Sequence, residues 1–355
     1  MVYHYKKWRP FFRKLLIRIP FIKKYFFIPI DLPQSTLLFS KVSLKDDRGM
    51  GRLAREWFSQ LQALSKNIQP KNDKNNQTLY FYPSIHWCPT HLPKKSIVGI
   101  LDVIPLIFPN HFSTERALWE NYYTKIAKKA DFIVTISESS AKDIVKYLNI
   151  PKNKVKVIYC GATQLDVTDK PTVTLPSKPY LVYLSSFDYH KNLKVVLNAL
   201  KLLPKENIDL VVIGANDQYQ SCISDNSLSD RVHLLGRLED EQVGYVINHA
   251  LTLVCPSLYE GFGLPPFEAA LLDTPSICSR RPAMTELLEN AAFFAEPDAP
   301  EEWAKVIREL LENPDKRNDM AIKAKTRAKE FTWERSGKLL FDFANQKAES
   351  DFLAR

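Results

Sequence analysis

The sequence predicts an α/β protein built as two doubly wound halves, and three observations lead there. Short apolar runs of strand length alternate with amphipathic helical segments, and the alternation restarts after a polar, proline-bearing stretch near the middle. The third is length: 355 residues exceed what one hydrophobic core usually supports.

The elements follow in order. Thr36 to Ser43 has strand character, and Arg52 to Leu64 is an amphipathic helix with Leu53, Trp57, Phe58, Leu61 and Leu64 on one face. Thr78 to Tyr82 and Ser96 to Ile104 are strands, Ser113 to Lys129 is a helix, and Asp131 to Ile136, Glu138 to Leu148 and Lys154 to Tyr159 give strand, helix and strand. Gln164 to Lys178, with Pro171 and Pro176, has linker composition. The pattern then restarts with strand Tyr180 to Leu184, helix Asn192 to Leu203, strands Ile208 to Ile213 and Val232 to Leu235, helix Glu241 to Ala250 and strand Leu251 to Cys255. A proline-started helix, strand Pro275 to Cys278 and helices Pro300 to Asn313, Pro314 to Glu330 and Trp333 to Gln346 complete it. The expected partition is an extension over 1–30, a first domain over 31–165, a linker over 166–178, a second domain over 179–330 and a terminal helix within 331–355.

Charge is unevenly distributed. The net charge is +9, and eight basic residues precede the first acidic one, Asp31, so the rest of the chain is near neutral. Within that extension Trp8, Arg9, Phe11, Phe12, Arg13, Lys14, Leu15 and Leu16 place cationic and apolar side chains on one short helix. That mixture suits a segment lying in an anionic membrane surface, each basic residue adding about 1 kcal/mol. The alternatives are a helix docked on its own domain, kinked at Pro20, and a secretory signal, whose apolar core Arg18, Lys23 and Lys24 interrupt. Nucleic acid is not an expected partner, since no second basic groove or binding module follows. The most apolar stretch, Ile97 to Phe108, is too short to cross a bilayer and contains Asp102. Five cysteines without a Cys-x-x-Cys pair indicate reduced thiols in a cytoplasmic protein, with neither a disulfide frame nor a zinc site. The expected location is peripheral, on the cytoplasmic face of the membrane.

Chemistry concentrates in Ser257 to Glu268, Ser-Leu-Tyr-Glu-Gly-Phe-Gly-Leu-Pro-Pro-Phe-Glu. The apolar run Leu251 to Cys255 places Glu260 at a strand's carboxyl end, where open α/β sheets hold ligands. Gly261 and Gly263 remove side chains where a diphosphate touches backbone, and the start of the following helix attracts phosphate. Two carboxylates flanking such a turn accept hydrogen bonds from neutral hydroxyls, which fits a polyhydroxylated phosphate ester; the plainer reading is an acidic helix start.

The segment resembles the Glu-x7-Glu signature of the retaining glycosyltransferases of family four, which have the GT-B fold, here over roughly Leu44 to Phe343. The resemblance implies two doubly wound Rossmann-like domains facing across a cleft, with a C-terminal helix returning to the N-terminal domain. It implies that Glu260 meets the donor sugar, Glu268 holds the nucleotide's ribose, and the turn Gly261, Phe262, Gly263 and Leu264 binds the donor. Tyr183 to Leu193 is similar to the family's strand-loop-helix in which a lysine, here Lys191, neutralises the donor diphosphate, with Ser185 and Ser186 as further phosphate donors. Lys191 read alone is equally a solvated helix-start lysine. His190 stands where the family often has an arginine nearby.

In the first half, Gly49 and Gly51 resemble the family's glycine-rich loop near the donor phosphates. Gly49 to Ala54 also matches Gly-x-Gly-x-x-Ala, the dinucleotide fingerprint, but a charged loop precedes it and no acid closes the next strand, so hydride transfer is not favoured. Leu101-Asp102-Val103-Ile104-Pro105 is similar to the family's His-Asp-x-x-Pro block with leucine in the histidine's place; Asp102 orients a hydroxyl or caps the following turn. Cys160 and Thr163 are further departures.

The implied reaction is transfer of a hexose, with a lean toward mannose, from a GDP- or UDP-type nucleotide sugar to a lipid-linked or saccharide acceptor, with Glu260, Asp102 and Lys191 as the catalytic set. No cofactor and no metal are expected. The alternatives are a non-catalytic glycosyltransferase-like subunit and a GT-B epimerase or phosphorylase.

Overall fold

The computed structural model describes residues 26–46, 49–66, 68, 77–167, 173–214, 219–220, 223 and 228–349. They form two compact units, one running to Gly161 and resuming at Trp333, the other Ala162–Thr332. The proposed membrane segment, Trp8 to Leu16 included, lies outside the described residues.

The first unit holds a six-stranded sheet in chain order, β1 (Phe27–Leu32), β2 (Ser35–Ser40), β3 (Gln77–Tyr82), β4 (Ser96–Gly99), β5 (Phe132–Thr135) and β6 (Val155–Val157). All neighbours are parallel except β1 and β2, a hairpin in which Leu32 pairs with Ser35. Residues 27–30, assigned to the extension by their basic surroundings, are therefore an edge strand, because Ile30 and Leu32 alternate into the core.

Helix α1 (Gly49–Ser65) begins three residues before Arg52, where the amphipathic pattern places its start. Its Trp57 is fully buried against Phe81, with ring centroids 5.8 Å apart. The last helix, Trp333–Glu349, returns to this unit: the Trp57 indole donates to Ser336 Oγ at 2.9 Å, and Gly337 packs so closely on Gln60 that a Cβ there would lie 2.2 Å from the glutamine Cβ. The opposite face carries Trp119, Tyr123, Ile126 and Ile144 against Tyr82, Val98 and Ile133. Two features differ from the sequence pattern here. Strand β4 stops at Gly99, whose added Cβ would meet the Pro83 carbonyl oxygen at 2.0 Å, and a short helix α2 (Ile104–Ile107) follows. The helical run Ser113 to Lys129 is divided by a π turn over Trp119–Tyr123 between α3 (Ser113–Leu118) and α4 (Thr124–Lys129). Helix α5 (Glu138–Leu148) is capped by the Ser137 hydroxyl, which accepts from Ser140 N.

The second unit is an all-parallel sheet of order β12-β11-β10-β7-β8-β9. Its strands are β7 (Tyr180–Leu184), β8 (Asp209–Ile213), β9 (Val232–Gly236), β10 (Thr252–Cys255), β11 (Ser276–Ser279) and β12 (Phe293–Ala295). Helices α6 (Leu193–Lys201), α7 (Asp240–Asn248), α8 (Leu264–Leu271), α9 (Pro282–Leu288), α10 (Pro300–Glu312) and α11 (Pro314–Ala328) cover it. The sequence reading lacked α9 and β12, a seven-residue helix and a three-residue strand too short for either periodicity to register. Chain order runs outward from β7 to β9 and then outward the other way from β10 to β12, so direction reverses between β7 and β10.

Gly49 and Gly51 share the first turn of α1, so the expected glycine loop is helix, and they differ physically. A Cβ at Gly49 meets nothing within 4 Å, whereas at Gly51 it would lie 1.8 Å from the Asp46 carbonyl oxygen. Gly51→Ala is expected to destabilise the protein by about 1–3 kcal/mol and Gly49→Ala to be neutral or stabilising. Urea unfolding of both variants checks this, equal midpoints contradicting it.

Candidate functional site

In a doubly wound sheet, loops leaving two neighbouring strands in opposite directions open a crevice at their carboxyl ends. In the second unit those strands are β7 and β10, paired in register with Leu253 beside Val182. Lys191 lies on the loop after β7 and Glu260 on the loop after β10, and the two side chains meet: Lys191 Nζ to Glu260 Oε1 is 2.7 Å. The same oxygen accepts the Ser257 hydroxyl at 2.7 Å. The pair is largely shielded, with 21% and 12% of the lysine and glutamate side chains exposed.

Burial pushes the Glu260 pKa up, but the Lys191 charge and the hydrogen bonds from Lys191 and Ser257 outweigh it and hold the carboxyl below its usual range. The resulting stabilisation is complete above the ordinary carboxylate range and is lost as pH falls through the depressed value. His190, buried next to the pair, is pushed down to about 4 by burial and by the Lys191 charge, so it is neutral at physiological pH.

The turn after Glu260 is built for main-chain contact. Gly261, Phe262 and Gly263 are buried, and Gly263 adopts φ 81°, ψ 68° at the start of α8. A side chain there is disfavoured by the left-handed backbone and by Met284 Cε, 2.4 Å from the position of an added Cβ. Pro265 and Pro266 follow Leu264 in the first turn and carry no N–H. The amide donors around the helix start are therefore those of the turn, Gly261 to Leu264. Phe262, Phe267 and Phe331 anchor the turn from below, their ring centroids 5.0 to 5.6 Å apart. Glu268 is buried in α8, one helical turn beyond Leu264.

Ser185 follows β7 directly, and its carbonyl accepts the Tyr219 hydroxyl at 3.3 Å. The Ser186 hydroxyl is directed to Asp188, donating to Oδ2 at 2.5 Å, so in this geometry it serves the loop. In the first unit the Asp102 carboxylate accepts from Ile104 N at 3.1 Å, which is the turn-capping alternative.

Sequence reasoning missed three contributors. Ser257 fixes the Glu260 carboxylate, and its place three residues before a strand-end glutamate was the available signal. Gly214, at φ +85°, lies so close to the Ser185 carbonyl that an added Cβ would sit 2.4 Å from it; a glycine ending the apolar β8 run was its signal. Asn192, also left-handed at φ 52°, connects this loop to two others, and nothing in a single sequence shows that. Among the described residues no group of three or more His, Cys, Asp and Glu side chains is arranged to hold a metal ion. No described helix is long and apolar enough to cross a membrane.

Comparison with known proteins adds the following. Residues 168–327 match the family described as "Glycosyl transferases group 1", and residues 85–163 match "Glycosyltransferase Family 4". An O-antigen chain mannosyltransferase of Salmonella typhimurium is 26% identical over 235 residues, covering 64% of this chain and 65% of that protein. O-antigen chain mannosyltransferase B of Escherichia coli is 24% identical over 271 residues, covering 72% and 71%. Among solved structures, sucrose-phosphate synthase of Thermosynechococcus elongatus superposes with a TM-score of 0.58 at 20% identity, over 82% of this chain and 71% of its own. Anabaena HepE, in complex with UDP and glucose, gives 0.60 at 19% identity over 70% of each chain.

Lys191→Met is expected to reverse the direction of the Glu260 shift, since burial then has only the Ser257 hydrogen bond and the smaller His190 contribution to oppose it. Carboxyl titration by carbon-detected NMR should place Glu260 above the ordinary range in the variant and below it in the parent; an unmoved resonance contradicts the coupling.

Proposed function

We propose that this chain, which belongs to the family-four glycosyltransferases of the GT-B fold, transfers a hexose from a nucleotide diphosphate sugar to an acceptor hydroxyl with retention of anomeric configuration. The observation that carries the reading is the Lys191–Glu260 pair at the point where strand order reverses, with a buried glycine turn and Glu268 immediately beyond it. Lys191 and the amides of Gly261 to Leu264 take the diphosphate, Glu260 the sugar hydroxyls and Glu268 the ribose diol.

The chemistry follows from charge. In a transition state of oxocarbenium character the leaving diphosphate gains negative charge, and a fixed cation with preorganised amides stabilises that gain. Glu260, kept ionised by Lys191, accepts hydrogen bonds from hydroxyls without itself taking a proton. The departing phosphate oxygen then accepts the acceptor's proton. Asp102, whose carboxylate accepts from Ile104 N, is assigned to orienting a hydroxyl. The charge is handled by side chain and backbone, and turnover is accordingly expected to survive EDTA.

Both bacterial relatives are named as O-antigen chain mannosyltransferases, which supports mannose as the sugar and a growing surface polysaccharide, lipid-linked or free, as the acceptor. The donor base is of GDP or UDP type. The basic aromatic segment would hold the enzyme peripherally on the cytoplasmic face of the membrane.

The test is transfer of radiolabelled sugar from a panel of nucleotide sugars to membrane extract, with and without EDTA, and with the product anomer determined by NMR. One donor is expected to give product of retained configuration, and Glu260→Ala to lower kcat by on the order of 10²–10³-fold. Full turnover by Glu260→Ala, or an inverted product, overturns the mechanism. Removing residues 1–25, which spares β1, should release the protein from anionic vesicles; unchanged sedimentation refutes the anchor.

A further inference from the structure

Asn192 occupies the residue before α6, where an asparagine ordinarily turns its side chain onto the helix's free amides. Here the side chain makes no such bond. Its Nδ2 donates instead to two proline carbonyls, Pro256 O at 3.0 Å and Pro297 O at 2.7 Å. Pro256 follows β10 directly, and Pro297 lies two residues beyond the end of β12. One amide group therefore joins the loops after β7, β10 and β12. The left-handed backbone at Asn192, φ 52° and ψ 38°, is what aims the amide across the sheet end, and asparagine tolerates it better than most residues.

The bonds around it have the same direction. Leu258 N donates to His190 O at 2.7 Å, and the Tyr183 hydroxyl donates to Lys191 O at 3.4 Å. Lys191 sits between His190 and Asn192, both tied to the β10 loop, and Glu260 sits two residues past Leu258. The 2.7 Å separation of the charged pair is thus fixed from both sides by main-chain and amide contacts.

We propose that Asn192 is a positioning residue of the donor site, its side-chain amide clamping three strand-end loops so that Lys191 and Glu260 are held in register for the leaving diphosphate. The proposal rests on the glycosyl-transfer reading for its kinetic consequence, and on geometry alone for the clamp. A loosened clamp leaves the ribose and turn contacts in place, so donor binding changes little. It lets the cation drift from the developing charge, and displacements of about 1 Å cost on the order of 10²-fold in rate.

The variants are Asn192→Gly, which accepts the left-handed backbone and removes both bonds, and Asn192→Asp, which presents a carboxylate to two carbonyl oxygens. Both are compared with the parent on the full chain, with folding checked by circular dichroism. In Asn192→Gly, kcat is expected to fall 10- to 100-fold with KM for the nucleotide sugar changed less than about threefold. The acid limb of the rate profile should move to higher pH as Glu260 loses Lys191. Hydrogen exchange at the Leu258 amide should accelerate at least tenfold, and Asn192→Asp should be the more affected of the two. Parental kcat and an unshifted acid limb in a folded variant overturn the positioning role; unchanged Leu258 exchange in both overturns the clamp. If the parent transfers sugar from no donor, the functional reading fails, and the exchange measurement still judges the clamp.

Discussion

The site depends on one constraint, the reversal of strand order between β7 and β10. Adjacent parallel strands whose connections leave in opposite directions cannot be bridged by a shared loop, so their carboxyl ends stand open. Into that opening the β7 loop brings a cation and the β10 loop an anion, and in-register pairing sets their spacing. Because the two chains of residues emerge from strands held 4.7–4.9 Å apart by the sheet, roughly, short side-chain reach is enough to make contact. The electrostatics of Glu260 and His190 follow from that contact: the lysine charge lowers both, and burial separates them by raising one and lowering the other.

Much of this was legible in the sequence for reasons that are physical. Apolar runs such as Tyr180 to Leu184 and the amphipathic stretch Glu138 to Leu148 report their own burial, and both elements have the bounds that the pattern indicates. The turn after Glu260 was legible because glycine and proline record backbone requirements directly: a left-handed residue at Gly263 and prolines in the first turn of the helix that follows. What escaped is of three kinds. Elements of only a few residues, β12 and α9, carry too little periodicity. Contacts across long sequence separation, such as Glu260 with a lysine 69 residues upstream, or Asn192 with Pro297, exist only once the sheet has brought its strand ends together. Strand β1 of the first hairpin was missed because its basic neighbours masked an alternating edge strand.

The resemblance-derived glycines illustrate why a motif needs its backbone. Gly49 and Gly51 look alike in sequence, yet one faces open space and the other lies under a carbonyl oxygen. Gly99 likewise lies under the Pro83 carbonyl, and Asp102 caps the next turn. Each of these strand-end residues of the first unit has a local backbone reason to be what it is.

The Lys191–Glu260 pair has no such local reason. Desolvating two charges costs several kcal/mol apiece, and replacing a buried ion pair with well-packed apolar residues is commonly neutral or stabilising by about 1–4 kcal/mol. Packing in the second unit is already supplied by Trp303, Ile307 and the β7, β8 and β10 side chains, so the fold does not require the pair. Around it the structure commits further costly features: a buried neutral histidine, left-handed residues at Asn192, Gly214 and Gly263, and a turn with glycine at two of its four positions. Strain and buried charge gathered at one strand-end crevice, with no gain in packing to offset them, are what selection for a ligand leaves behind. On the proposed reading that ligand is a diphosphate flanked by hydroxyls, whose charge and hydrogen-bonding groups match what is gathered there.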